Sequence, residues 1–374
     1  MQRHDHALLS TSLGTQRVVS SFHYGQALAG YPKVYIQASL HAEEIPGMLV
    51  AHLLKQTLLE AEQAGRLPGS VVLVPAANPI GLAQRLDYKA MGRFELGSSE
   101  NFNRHYPDLA QAIAAHVAPQ LGSDAAANVR TIRAAVGHYL QQWQPTTELD
   151  SLRKTLVGLA YDADVVLDMH CDWEATPHLY TLNSCWPTIA PLAQLLQAKT
   201  VLVTDEGEHS FEECFSWVWT VLHRQLHTPE RPIPQACAST TLELRGEGDV
   251  NYPYAQHDAQ AIAAYLAHLG VLQTSDPLTL PAPACQATPL AGSQSLRAPH
   301  AGVVVFLHQP GEFIRVGEAV AHIVNPIDDL TTPVCAEVEG VFYARIKDRY
   351  VHAHCEIGRI AGALPFKTGP LLGV

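Results

Sequence analysis

The chain has 374 residues, 47% of them hydrophobic, and a formal charge of −12 from 24 basic and 36 acidic side chains. That length is enough for two domains with cores of their own, and the negative balance disfavours nucleic acid and anionic membranes as partners. No apolar run reaches the roughly 18–20 residues of a membrane-crossing helix, and Met1-Gln2-Arg3-His4-Asp5-His6 lacks the apolar segment of a secretion signal. The seven cysteines are scattered, odd in number and without a C-x-x-C pair, which argues against a disulfide framework and against a thiolate zinc site. The expectation is a cytoplasmic protein.

In chain order, residues 1–30 suggest an opening strand or hairpin through Val18, Val19, Phe22 and Tyr24. Residues 33–38 read as a buried strand, 45–64 as an apolar-striped helix and 70–75 as a second strand. Together they make a βαβ unit with parallel strands. Between the first strand and the helix lies Ser39-Leu40-His41-Ala42-Glu43-Glu44-Ile45-Pro46-Gly47. His41 and Glu44 thus sit where a strand ends and a helix begins, the edge at which open α/β sheets bind ligands. Asn78-Pro79-Ile80-Gly81 marks a turn. The polar stretch 82–104, with Arg85, Arg93, Asn103 and Arg104, reads as a loop over that edge.

Helices follow over 126–143 and 149–161, then a strand over 164–169 that delivers His170. Alternation puts Asp168 and His170 on one face of it. Residues 178–182 and 201–203 read as strands, 187–197 and 211–226 as helices, and Trp217 and Trp219 as core or interface residues. A strand over 238–244 carries Glu243 near its end, and a helix over 255–269 closes the domain. From Gln273 to Ser295 prolines, serines and glycines mark a linker. Beyond it the pattern is all β: the stretch from Ala298 to Val305 is echoed from Val334 to Phe342.

Two imidazoles and one carboxylate, His41, Glu44 and His170, form a plausible His2Glu zinc site with one position open to water. Such an ion lowers the pKa of its water to about 7. A general base must then lie within hydrogen-bond reach. Glu243 is the candidate, with Glu247 and Glu174 as alternatives.

The ordered set H-A-E-E at 41–44, Asn78-Pro79, Asn101-Phe102-Asn103-Arg104, D-M-H at 168–170 and T-L-E-L at 241–244 resembles the succinylglutamate desuccinylase/aspartoacylase family of zinc-carboxypeptidase-like hydrolases. The resemblance implies a mixed, mostly parallel sheet flanked by helices over residues 1–272. It assigns one zinc ion to His41, Glu44 and His170, the base to Glu243, an oxyanion-stabilising Arg to Arg93, with Arg85 as the alternative, and a substrate carboxylate to Asn103 and Arg104. Asn101 departs from the family's usual Asp, keeping a hydrogen-bond acceptor but no charge, and Ala42 stands where Gly is common.

Residues 296–374, after the linker 273–295, resemble the barrel-sandwich of biotinyl and lipoyl domains. The absence of Lys from 325–337 speaks against a swinging-arm carrier. This domain is expected to narrow access to the site, with Tyr343, Arg345 and Tyr350 as residues able to reach its mouth. The expected activity is zinc-dependent cleavage of the amide bond of a small N-acyl amino acid. A metallocarboxypeptidase and a non-catalytic binding protein on the same fold are the other two readings, and a homo-oligomer is compatible with either.

Overall fold

A computed structural model of the chain describes residues 1–207, 209–274, 277–368 and 371. Its centre is a nine-stranded mixed sheet. In spatial order the strands are Gln2–Ala7, Val18–Gly25, Ser70–Val74, Lys33–Ala38, Val165–Asp172, Ala238–Gly246, His178–Leu182, Thr200–Thr204 and Ala287–Pro289. The four from Ser70–Val74 to Ala238–Gly246 are mutually parallel. The first two strands form the opening antiparallel hairpin.

Strand alternation divides the core into two layers. Val34, Ile36 and Ala38 face the helices Pro46–Gln63, Trp186–Leu195 and Tyr252–His268. Tyr35 and Val166 face the other way, toward Leu109–Val117, Ala125–Gln142, Glu148–Ala160 and Glu213–Leu226. Trp219 is buried in that second layer. With both faces covered, the central strands read as continuous apolar runs, as buried parallel strands do.

Three features differ from the expected elements. The helix Leu109–Val117 was not among them; it is short and alanine-rich, and Asp108 caps it by accepting from the Gln111 N–H at 2.9 Å. The strand carrying His170 runs on to Asp172, so His170 lies within it rather than just beyond. The proline-rich stretch is not all linker: Ala287–Pro289 adds a parallel strand at the sheet edge. An edge strand tolerates Pro289 because the missing N–H need not serve a further neighbour.

The C-terminal residues form two antiparallel sheets. One contains Ser293–Arg297, Glu356–Gly362, Gly340–Arg345 and Phe313–Ile314; the other contains Leu330–Cys335, Ala319–Asn325, Gly302–Phe306 and Tyr350–Val351. Leu296, Ile314, Ile323, Phe342, Ile357 and Ile360 are buried between them. This part is joined to the large sheet directly behind the His170 strand. Glu174 and Ala175 pair with Arg345 and Ala344 as adjacent strands, Arg345 Nε donates to Glu174 at 2.6 Å, and Arg359 donates to Asp172 at 3.1 Å. Among the described residues no helix is long and apolar enough to cross a membrane.

The helix Pro46–Gln63 must stay seated for the site to form, and Leu54 is fully buried beneath it. Leu54→Ala is expected to cost about 2–5 kcal/mol of stability, read as a lowered urea midpoint at unchanged slope. A midpoint indistinguishable from the parent's would mean that this layer does not support the sheet.

Candidate metal centre

The site grows from the carboxyl ends of the parallel strands Lys33–Ala38 and Val165–Asp172. Between the first strand and its helix the backbone turns through Ser39, which holds the left-handed conformation at φ 64°, an unfavourable one for a residue with a side chain. Gly47 lets the start of the helix press onto the sheet: a Cβ there would lie 3.0 Å from Met169 Cβ and 3.1 Å from Ala38 Cβ. This brings Glu44 across to the strand that carries His170.

Glu44 joins the two imidazoles. Its Oε1 lies 2.9 Å from His41 Nδ1, and its Oε2 lies 2.7 Å from His170 Nδ1. The Cys171 N–H also donates to Oε2, at 3.1 Å. One ligand atom from each of His41, Glu44 and His170 lies within 4.8 Å of the others, and all three residues are buried. The opposite ring nitrogens are held from behind: His41 Nε2 lies 2.9 Å from Asn101 Oδ1, and His170 Nε2 lies 2.9 Å from Asp168 Oδ2. Asp168 is oriented in turn by Gln37 Nε2 at 2.9 Å, and Gln37 by the Tyr35 hydroxyl at 2.9 Å.

These partners set the ring orientations. With Nε2 of the two rings facing Asn101 and Asp168, Nδ1 is in each case the nitrogen turned toward the common centre, and outer partners of this kind orient metal-binding histidines. Burial pushes the His41 imidazole below its ordinary range, which favours the neutral ring. Burial acts on His170 in the same sense, but Asp168 and Glu44 outweigh it and raise that ring well above its ordinary value. Burial also works against ionised Glu44; the flanking imidazoles prevail and hold its carboxyl well below the usual carboxylate range. Two imidazoles and an ionised carboxylate converging at a buried point fit a divalent ion such as zinc by donor type and number.

The loop 82–104 is pinned to this turn through Gly92. Ala42 N–H donates to Gly92 O at 2.9 Å, and Gly92 N–H donates to Glu43 Oε2 at 2.6 Å. A Cβ at Gly92 would lie 2.5 Å from Glu43 N and 2.8 Å from Ala42 Cβ, so only glycine allows so close an approach. The methyl of Ala42 is accommodated by the absence of one at Gly92. The next residue, Arg93, places Nη1 3.4 Å from Glu44 Oε1. Arg85 stands on an exposed two-residue strand away from the cavity. Asn101 does keep hold of His41 through its amide oxygen, and the same atom accepts the Asn103 N–H at 2.8 Å.

His41, Glu44, His170 and Arg93 line a cavity of about 470 Å³ together with Asn103, Arg104 and Glu243. The strand Ala238–Gly246 bulges after Glu243; Arg245 takes φ 67° and is tied to Asp258 at 2.6 and 3.1 Å. Bulges of this sort re-aim side chains beside sites. Glu243 Oε2 is buried with no hydrogen-bond partner among the described residues. Burial, reinforced by the charge of Glu44, pushes its carboxyl well above the ordinary range. Glu174 is tied up by Arg345 and Arg349 and lies outside the cavity, and Glu247 is paired with Lys347.

The C-terminal part contributes Arg297, Glu356 and Arg359 to the cavity wall, and Leu290, just before its first strand, adds to them. Tyr343, Arg345 and Tyr350 do not line it. Tyr343 is buried, with its hydroxyl 2.9 Å from Ser293 Oγ, Arg345 is held by Glu174, and Tyr350 projects to solvent. Glu212 and Ser210 also line the cavity, although nothing in the sequence distinguished them from an ordinary acidic helix start.

A mixed α/β fold with two imidazoles and a carboxylate converging at strand ends defines a candidate metal site. Residues 30–269 match the succinylglutamate desuccinylase/aspartoacylase catalytic domain, and the chain belongs to that family, whose members are hydrolases of the deacylase type. A family protein from Shewanella amazonensis superposes with a TM-score of 0.84 at 25% identity, over 96% of this chain and 98% of that one. Another from Shewanella frigidimarina gives 0.82 at 23% identity, over 96% and 97%. A product-bound ectoine utilization protein from Ruegeria pomeroyi gives 0.65 at 14% identity, over 96% and 93%, a likeness of fold alone. No curated protein matches the chain.

Removing one ligand tests the centre. His170→Ala is expected to keep its far-ultraviolet dichroism and lose stoichiometric zinc on metal analysis; full loading would refute the ligand set. Asn101→Ala is expected to bind zinc about 10–100-fold more weakly, measured by competition with a chromogenic chelator, and unchanged affinity would remove Asn101 as the support of His41.

Proposed function

We propose that the chain is a zinc-dependent amidohydrolase that cleaves the amide bond of a small N-acyl amino acid. The observation that carries this reading is the convergence of His41, Glu44 and His170 within 4.8 Å at the wall of a cavity that also holds the unpartnered Glu243 carboxylate oxygen. Family membership supports the reaction class. Zinc on these three residues would supply Lewis acidity, polarising the scissile carbonyl and acidifying water.

The chain's own groups account for the remaining requirements. Glu243 Oε2 accepts the proton of the attacking water and returns it to the departing amine nitrogen, the two duties of a general acid–base residue. A cation held by Glu44 would offset the negative charge that now raises the Glu243 carboxyl, and so make it a competent base near neutrality. Arg93, beside Glu44, offers positive charge where the carbonyl oxygen becomes negative, a contribution of about 3–4 kcal/mol to a typical barrier. Asn103 and Arg104 bind the carboxylate of the substrate, Arg104 through its planar fork. The C-terminal sheets, which we take to be a barrel-sandwich, wall off the cavity, restrict it to small substrates and exclude bulk water.

Two substitutions separate these roles. Glu243→Gln is expected to retain zinc and lose turnover by at least about 10²–10⁴-fold; retained turnover would exclude Glu243 as the base. Arg104→Ala is expected to raise KM for carboxylate-bearing substrates far more than it lowers kcat, as lost uniform binding does. An unchanged KM would place carboxylate recognition elsewhere, and amine release from peptides alone would contradict the small-substrate reading.

A further inference from the structure

One end of the cavity has a chemistry that hydrolysis of the amide does not require. The segment Ser210–Glu213 leads into the helix Glu213–Leu226, and it is held against the substrate-binding residues: Phe211 N–H donates to Asn103 Oδ1 at 2.7 Å. Glu212 lines the cavity and is only 6% exposed. Its Oε1 accepts from the Thr241 hydroxyl at 2.6 Å, but its Oε2 is buried without a partner. Ser210, 3% exposed, lines the same cavity with an unpartnered hydroxyl. A buried carboxylate left half-satisfied is costly, and among the described residues none donates a hydrogen bond to that oxygen. Arg359, which also lines the cavity, is committed to Asp172 and Glu356.

We propose that Glu212 and Ser210 form a subsite for a cationic group, so that the preferred substrate is an N-acyl amino acid whose side chain ends in an ammonium or guanidinium. This rests on the deacylase reading for the position of the substrate, but the subsite stands on its own geometry. A protonated amine donates the hydrogen bonds that Glu212 Oε2 and Ser210 Oγ lack and neutralises the buried charge. The burial that pushes the Glu212 carboxyl up to about 7, with Glu213 and Asp168 adding to it, is then answered by the ligand. Leu182 and Leu202 line the same cavity and suit a methylene stem. An acidic side chain, such as the family name suggests, would meet the carboxylate of Glu212 and be repelled.

The test separates binding from turnover. On zinc-loaded Glu243→Gln protein, calorimetric titration compares Nα-acetyl-L-lysine, Nα-acetyl-L-norleucine and Nα-acetyl-L-glutamate. The lysine derivative is expected to bind at least about tenfold more tightly than the nearly isosteric norleucine derivative, since a buried partnerless group discriminates against ligands that cannot pair with it. The glutamate derivative is expected to bind most weakly. Adding Glu212→Gln should reduce the lysine preference to within about threefold. Equal binding of lysine and norleucine derivatives, tightest binding of the glutamate derivative, or binding of none of the three overturns the subsite. If Glu212→Gln does not fold, the ranking in the Glu243→Gln protein decides alone. Amine release by the unsubstituted protein without any preference for cationic side chains would refute the subsite and keep the deacylase. A cationic preference in binding with no amine release would keep the subsite and refute the deacylase.

Discussion

A single carboxylate, that of Glu44, holds the site together. Its two oxygens are divided between His41, three residues away on the same turn, and His170, on the neighbouring parallel strand. Two imidazoles cannot share one buried carboxylate unless the strand ends are in register and the helix start lies against them. The parallel pairing of Lys33–Ala38 with Val165–Asp172 provides the first condition. Gly47 provides the second by admitting the helix to within van der Waals contact of Ala38 and Met169. The outward ring nitrogens are closed off by Asn101 and Asp168, so the donor atoms can only point inward.

The same economy governs the surroundings. Gly92 draws the 82–104 loop onto the ligand turn, and Arg93 follows from that contact. The segment after the His170 strand extends directly into the C-terminal part: Asp172 is paired with Arg359, and Glu174 with Arg345 and Arg349. The small sheets are therefore attached two to four residues from a candidate metal ligand, close enough to shape the cavity. These ion pairs are partly buried, and the backbone pairing of Glu174–Ala175 with Gly340–Arg345 provides the register on which they act.

Much of this was legible in the sequence, for physical reasons. Buried parallel strands are apolar runs, and amphipathic helices repeat every 3.6 residues, so the central sheet and most of its helices could be read within a few residues. Candidate ligands at strand ends could be named because the fold class puts strand ends and ligands at one edge. The rest depended on approach between distant segments. That Arg93 lines the cavity and Arg85 does not follows from the contact made by Gly92. Pro289 in an edge strand looked like linker because proline is usually a breaker. Glu212 and Ser210 were not distinguishable, since what marks them is one buried side-chain oxygen each, Oε2 and Oγ, without a hydrogen bond among the described residues after folding. The residues of the C-terminal part that reach the cavity are Arg297, Glu356 and Arg359 rather than Tyr343, Arg345 and Tyr350, because which face of a strand meets a neighbouring domain is decided by docking and not by periodicity.

The most direct test of the central claim is amine release from a panel of Nα-acetyl amino acids by the full chain before chelation, after chelation, and after zinc is returned in measured equivalents. The expected result is loss of release on chelation and full recovery at one zinc per chain. Release that survives complete removal of metal, or a chain that takes up no zinc under these conditions, would contradict it.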